Sequence, residues 1–350
     1  MPNCLKCGTE LVVNEEGVAP VLCDRCAGVA GKRARRGLAT GTMRDFPATS
    51  LLLIINVLVY LGMLVTGVNV LNPSSADLLR WQGNYGPYTI GGEYWRLVTA
   101  GFVHGGFLHI ALNMWCLYSL GTMAEKLFGK WQTFGIYMVT GIGGALLSIA
   151  WDPNRLSVGA SGAIFGIAGA LIAGLKFGDL SIGWRERRSA MSSVAVFVVI
   201  SLVWGAGSAG TDNMCHLGGI VSGLLIGLPL GAFAKKHQLL QLAVLLVTAA
   251  VLAAAGRELV QTHGAEAQRT AADIAWSQKD YSKAAWFVER YAAAQPNDEA
   301  SLVFLGQAYA ANNERDKAIA AFEHALKVNP DSEDAKQFLQ QLRGDGAPQK

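Results

Sequence analysis

The chain alternates between long uncharged stretches and short polar loops over most of its length. Seven uncharged runs follow one another: residues 46–76, 97–124, 131–151, 156–175, 189–211, 213–234 and 238–256. A helix that crosses a membrane needs about 20 consecutive, mainly apolar residues. The pattern therefore predicts an all-α polytopic membrane protein with seven spanning helices.

Lys and Arg are concentrated in every second loop between these runs. The basic segments lie at 32–44, 126–130, 176–188 and 235–236, whereas the loops after the first, third and fifth runs carry few basic residues. Basic loops stay on the cytoplasmic side of a membrane. We therefore expect a cytoplasmic N-terminus and an extracytoplasmic C-terminus. The membrane that we expect is a bacterial inner (plasma) membrane.

The composition agrees with this interpretation. Of the 350 residues, 51% are apolar and 16% are charged, whereas soluble proteins carry about 25% charged residues. The mean hydropathy is +0.30. A net charge of +3 is too small to indicate a nucleic-acid partner, and we expect none.

The polar N-terminus contains two Cys-x-x-Cys pairs separated by fifteen residues. Their cysteines can supply four thiolates to one tetrahedral zinc ion: Cys4, Cys7, Cys23 and Cys26. So short a segment cannot bury enough core to fold alone, and a structural metal would compensate. We predict a zinc ribbon over residues 1–30, with disulfides or a redox pair as the alternatives, followed by a basic linker over 31–45.

The polar C-terminal part, residues 258–345, carries the signature of a helical repeat. Pro296 and Pro330 are 34 residues apart, which is the tetratricopeptide period. A weaker copy covers about 265–296, and an amphipathic helix at about 331–343 could cap the stack. We predict tetratricopeptide-like repeats, and we expect protein partners for these repeats and for the ribbon.

Few strongly polar side chains lie inside the apolar runs, where such residues are costly and indicate function. They are His104, His109, Asn113, Ser161 and His216. The predicted topology places the last four in the same outer half of the membrane. Covalent catalysis needs at least a nucleophile and a base, and a serine and a histidine at the same depth can supply both.

The positions of these residues suggest separate roles. Ser161 lies at a predicted helix N-terminus, where backbone N–H groups can bind an oxyanion. His216 can act as the base. His109 and Asn113 are four residues apart, so they share a helix face and can donate to one point.

Two stripes of small residues begin at Gly162 and Gly219 in the fourth and sixth runs. Such stripes allow helices to approach closely in lipid, as a Ser–His hydrogen bond requires. Asp212 lies one turn before the histidine, and we interpret it as a helix N-terminal contact. The sequence therefore predicts a catalytic dyad rather than a triad.

Five short motifs carry a further signal. They are Glu93-Tyr94-Trp95-Arg96-Leu97, His109-Ile110-Ala111-Leu112-Asn113-Met114, Gly121-x3-Glu125-x3-Gly129, Gly159-Ala160-Ser161-Gly162 and His216-Leu217-Gly218-Gly219. Together they resemble the motifs of the rhomboid family of intramembrane serine proteases. The resemblance covers residues 46–235 and implies a six-helix rhomboid-like core, to which residues 236–257 would add a seventh transmembrane helix.

The resemblance also implies an activity that needs no cofactor for catalysis. Ser161 would attack the scissile carbonyl and His216 would take its proton, while His109, Asn113 and the Ser161 backbone N–H would hold the oxyanion. Phe165 would pack on the histidine ring. The remaining supporting residues would be Gly159, Gly162, Gly219, Trp95 and Arg96. Substrates would be single-span membrane proteins cleaved within or near their transmembrane segments, with the fifth span as a lateral gate.

Two alternative functions belong to other classes. A catalytically silent rhomboid-like adaptor or chaperone would be favoured by loss of Ser161 or His216, and both are present. A transporter would be favoured by inverted repeats with broken helices, which the sequence does not suggest. Cys215 stands where the family usually has Ala, and its small size predicts that it is tolerated.

Overall fold

The computed structural model describes residues 7, 10, 23, 42–178, 183–208, 210–232 and 237–344. The predicted zinc ribbon and basic linker therefore lie almost entirely outside the described residues. Within the described part, nearly all regular structure is helical. This confirms the prediction of a helical protein.

Fourteen α-helices follow one another in the described residues. They are α1 Pro47–Val65, α2 Ser75–Arg80, α3 Gly86–Gly91, α4 Arg96–Thr99, α5 Phe107–Phe128, α6 Lys130–Trp151, α7 Ser161–Phe177, α8 Trp184–Ala206, α9 Asn213–Ala232, α10 Gln238–Ser277, α11 Tyr281–Ala294, α12 Glu299–Ala311, α13 Arg315–Val328 and α14 Glu333–Gly344. Six of them are long and apolar enough to cross a membrane: α1, α5, α6, α8, α9 and α10. Helix α7 is apolar but has only 17 residues.

Helix α7 forms the centre of the helical bundle. Thirteen of its 17 residues are buried, and it packs against α5, α6, α8 and α9. A helix that is covered on every side has no polar face. This explains why α7 consists almost entirely of Gly, Ala, Ile, Leu and Phe.

Helix α9 lies against α7 along a stripe of glycines. A Cβ atom on Gly219, Gly223 or Gly227 would collide with a backbone carbonyl of α7. The partners are Gly162, Gly166 and Ala170 respectively, so the two helices run parallel. Small residues at this spacing let helix backbones touch, and the N-termini of α7 and α9 therefore lie side by side.

We refer to residues 66–106, between α1 and α5, as loop L1. Helices α2, α3 and α4 lie within it. The side chain of Arg96 is fully buried at its centre. Its guanidinium group forms an ion pair with Glu93 and donates to the carbonyl oxygens of Leu79 at 3.0 Å and Gly83 at 2.8 Å. These contacts hold three parts of L1 together.

Helix α10 joins the membrane domain to the repeats without a break. It has 40 residues, or about 60 Å of helix. The sequence pattern predicts that the seventh span ends at residue 257, but the helix continues and its C-terminal part packs against α11. Helices α12 and α13 form the next pair and α14 follows, which confirms the prediction of C-terminal helical repeats.

The repeats pack directly on L1. The rings of Tyr88 in α3 and Phe287 in α11 stack with centroids 5.6 Å apart. Lys283 Nζ lies 2.9 Å from Glu93 Oε1, the carboxylate that also pairs with Arg96. The contacts between the first repeat and L1 therefore include an aromatic stack and a partly buried ion pair.

Candidate active site

Ser161 and His216 meet where α7 and α9 begin. The distance from Ser161 Oγ to His216 Nε2 is 2.9 Å. Ser161 is the first residue of α7, and His216 lies in the first turn of α9. With the ring proton on Nδ1, Nε2 accepts the serine hydroxyl hydrogen, as a general base must.

Phe165 fixes the plane of the histidine ring. It lies one turn after Ser161, and its ring stacks on that of His216 with centroids 4.2 Å apart and an interplanar angle of 18°. In the described part of the chain, His216 Nδ1 has no hydrogen-bond partner. The histidine is thus oriented by packing and by Ser161.

Asp212 serves the helix that carries the histidine. Its Oδ1 accepts a hydrogen bond from Cys215 N at 3.0 Å, and its Oδ2 accepts one from Ser148 Oγ at 2.5 Å. An Asp that accepts from a backbone N–H in the first turn is an N-cap. The carboxylate therefore ties α9 to α6 and does not hydrogen-bond the histidine ring.

Gly159 brings the backbone before Ser161 into contact with His109. Its φ angle is +116°, and a Cβ atom there would lie 2.7 Å from Cε1 and 2.8 Å from Nε2 of the His109 ring. His109 Nδ1 accepts from Gly105 N at 3.1 Å. In the neutral ring the proton is then on Nε2, the atom that faces Gly159.

Asn113 lies one turn further along α5 and is buried. Its Nδ2 donates to the carbonyl oxygen of His109 at 2.9 Å. A carboxamide has two N–H groups and uses one of them here. The two predicted oxyanion donors are thus neighbours on one face of α5, and His109 contacts the segment that carries the serine.

The backbone before Ser161 is held by L1, which sequence reasoning missed. Asn84 and Ser157 form an isolated antiparallel bridge, with N–O distances of 3.0 and 2.8 Å. Gly159 N donates to Ala100 O at 2.9 Å. No sequence signal indicated Asn84, because it lies in a loop without periodicity.

Cys215 fits a space that only a small side chain can fill. Its Sγ lies 3.1 Å from where a Cβ of Gly144 would be and 2.7 Å from where a Cβ of Gly162 would be. The thiol therefore packs between α6 and α7. This supports the prediction that cysteine is tolerated beside the histidine.

Comparison with protein-family models finds a match for two parts of the chain. Residues 91–233 match the family model of the Rhomboid domain. Residues 275–342 match that of the Tetratricopeptide repeat. Both histidines of the site, Asn113 and Ser161 lie inside the rhomboid match.

Three similar proteins illustrate the extent of the likeness. The chain is 32% identical to "Rhomboid protease GluP" of Bacillus subtilis (strain 168), over 68% of this chain and 46% of that protein. It is 27% identical to "Rhomboid protease AarA" of Providencia stuartii, over 58% and 79% respectively, and 34% identical to "RHOMBOID-like protein 4" of Arabidopsis thaliana, over 45% and 40%. The alignments span less than half the length of the first and third of these relatives. Together with the apolar helices, they indicate an integral membrane protein.

Two other rhomboid-like motifs lie away from the dyad and have structural contacts. Trp95 is half exposed, and its Nε1 donates to Gln82 Oε1 at 2.9 Å. Glu125 is buried and accepts from the backbone N–H groups of Ala48 at 3.1 Å and Thr49 at 2.9 Å. It thereby caps the N-terminus of α1 from α5, a role that sequence reasoning did not identify.

The predicted zinc ligands are only partly described. Cys4 and Cys26 lie outside the described residues. The Sγ atoms of Cys7 and Cys23 are 3.6 Å apart. The described residues contain no group of three or more side chains that could hold a metal ion, so the zinc site stays a prediction.

Proposed function

We propose that this protein is an intramembrane serine endopeptidase that uses Ser161 and His216 as a catalytic dyad. Its substrates are single-span membrane proteins, which it cleaves within or near their transmembrane segments. The observation that carries the proposal is the 2.9 Å contact between Ser161 Oγ and His216 Nε2 at the adjoining ends of two apolar helices. The likeness to rhomboid proteases supports the same reaction.

The proposed reaction begins with transfer of the serine proton to His216 Nε2. Ser161 Oγ attacks the scissile carbonyl carbon, and the carbonyl oxygen becomes an oxyanion. The Ser161 backbone N–H at the start of α7, His109 Nε2–H and the Asn113 amide stabilise this charge. The protonated His216 then gives its proton to the leaving amine, and a water molecule later hydrolyses the acyl-enzyme by the reverse sequence.

The proposed topology has seven spans in a bacterial inner membrane. The alternating basic loops support a cytoplasmic N-terminus with its zinc ribbon. The active site and the repeats then lie on the extracytoplasmic side. In that position the repeats can bind the external part of a substrate or another extracytoplasmic protein, since they pack on L1.

The test uses the full chain in proteoliposomes with a generic single-span substrate. Ser161→Ala and His216→Ala should each abolish cleavage. Ser222→Ala is the matched control, because Ser222 is a buried serine on α9 that donates only to its own helix, to Gly218 O at 2.7 Å. His263→Ala, at an exposed position of α10, is the control for the histidine.

The outcomes separate the protease from its alternative. Substrate cleavage by either dyad variant at the wild-type rate would refute the dyad. An inactive wild-type protein that still binds the substrate would favour the silent adaptor. Equal loss in Ser222→Ala would show that the assay reports folding rather than catalysis.

A further inference from the structure

An apolar crevice of about 620 Å³ lies between α6, α10 and L1. It is separate from the dyad. All three walls are lined mainly by apolar residues. Representative lining residues are Ile142 and Leu146 of α6, Ala253 and Gly256 of α10, and Ile90 and Leu97 of L1.

The crevice forms because α10 is tied to α6 at one end. Gln132 Nε2 donates to Gln241 Oε1 at 2.9 Å, and Leu245 packs into the space beside Gly135. The two helices continue in parallel, and L1 forms a third wall at their other ends.

The dimensions of the crevice match one membrane leaflet. Its lining residues extend from Val139 to Ile149 on α6 and from Ala249 to Gln261 on α10. At about 1.5 Å per residue these stretches are roughly 15 and 18 Å long. Half of the hydrocarbon core is also about 15 Å thick. The Ser148–Asp212 hydrogen bond places the Ile149 end level with the start of α9, so this is the leaflet of the active site.

Charge is confined to that same end. Among the described residues that line the crevice, Arg257 alone carries a charge, and Gln261 lies one turn beyond it. Arg257 forms no ion pair with another described residue. A guanidinium group binds phosphate oxygens through two parallel N–H donors.

We propose that the crevice is a binding site for one phospholipid, with an acyl chain along α6 and α10 and the phosphate at Arg257. A transmembrane helix is a poorer occupant, because it has to cross the whole hydrocarbon core of about 30 Å, whereas the residues that line the crevice cover only about half of that depth. The lipid chain contacts Tyr94 and Leu97, the residues on either side of Trp95-Arg96, and so completes the packing of L1. This assignment is independent of the proposed protease activity.

The test is photolabelling of the full chain in proteoliposomes. The probes are phosphatidylglycerol and diacylglycerol with the same diazirine-bearing acyl chain, each at a low mole fraction. Peptide mass spectrometry should find the phosphatidylglycerol label concentrated on the facing sides of α6 and α10. Ala253→Phe should reduce this label several-fold. Ala254→Phe, at the neighbouring exposed position outside the crevice, should not.

The headgroup is tested with a second pair of variants. Arg257→Gln should lower labelling by phosphatidylglycerol about fivefold, equivalent to about 1 kcal/mol, and should leave labelling by diacylglycerol unchanged. Glu258→Gln is the control. Label spread evenly over α8 and the other exposed helices, equal effects of Ala253→Phe and Ala254→Phe, or equal sensitivity of both probes to Arg257→Gln would each overturn the assignment.

Discussion

Replacement of Phe287 by alanine should release L1 from the repeats. The Phe287 side chain is fully buried and stacks on Tyr88 at 5.6 Å. A Cβ on Gly91 would lie 3.1 Å from the same ring, so the ring fills the space against α3. Its removal leaves a cavity at the contact between the two domains.

The size of the effect follows from this geometry. A buried Phe→Ala change costs about 3–5 kcal/mol in total, and a stacked aromatic pair contributes about 0.5–1.5 kcal/mol beyond its buried area. Each 1.4 kcal/mol is a factor of ten in an equilibrium constant. The equilibrium constant for local opening of L1 should therefore rise about twofold to tenfold if only the stacking energy is lost. It should rise on the order of 10²–10³-fold if the whole cost of the Phe→Ala change weakens the contact between the domains.

The assay is amide hydrogen exchange of the full chain in detergent micelles, followed by peptide mass spectrometry. Phe322→Ala is the matched control. Phe322 is equally buried, but its ring stacks on Phe338 of α14 with centroids 5.5 Å apart. Exchange in residues 75–99 should increase in Phe287→Ala only, whereas exchange in α13 and α14 should increase in Phe322→Ala.

Unchanged exchange of L1 in Phe287→Ala would refute the reasoning. It would mean that the contacts within L1, above all those of the buried Arg96, hold the loop without the repeats. An equal increase in L1 exchange in Phe322→Ala would also contradict it, since the effect would then reflect general unfolding of the repeats.

Four further predictions follow from the site and from the sequence. Gly219→Ala should lower the thermal unfolding midpoint and the cleavage rate together, because a methyl group there collides with the Gly162 carbonyl of α7. Asn113→Ala should lower kcat by about 10²–10³-fold without abolishing cleavage, as expected for one lost oxyanion donor; a wild-type rate would contradict its role. Metal analysis should find one zinc per chain and none in Cys23→Ser. In intact spheroplasts, a membrane-impermeant thiol reagent should label a protein whose single cysteine replaces Gln295 but not one whose single cysteine replaces Gly37, and the reverse pattern would overturn the topology.

Much of the fold was predictable from patterns that are local in the sequence. The apolar runs predict the long helices, since a helix satisfies its backbone hydrogen bonds within itself and needs only an apolar surface to enter lipid. The 34-residue spacing of Pro296 and Pro330 predicts the repeats for a similar reason, because each helix pair packs on its neighbour. The glycine stripe from Gly219 predicts that α9 approaches another helix closely.

The candidate site was predictable only in part. The sequence indicates Ser161 and His216 because polar residues are rare in apolar runs. Their 2.9 Å contact depends on the parallel packing of α7 and α9, which places both helix starts at one end. The fit of Gly159 against His109 depends on a backbone angle that the sequence does not specify.

The contacts of L1 were decided by the tertiary structure alone. No sequence pattern indicated the bridge between Asn84 and Ser157 or the Lys283–Glu93 ion pair. The sequence also did not indicate that helix α10 continues unbroken into the repeats. A loop has no periodic pattern, and its conformation is set by partners that are distant in sequence. The sequence thus determined which segments are helices and which residues can do chemistry, whereas long-range packing determined how L1 holds the serine segment and the repeats together.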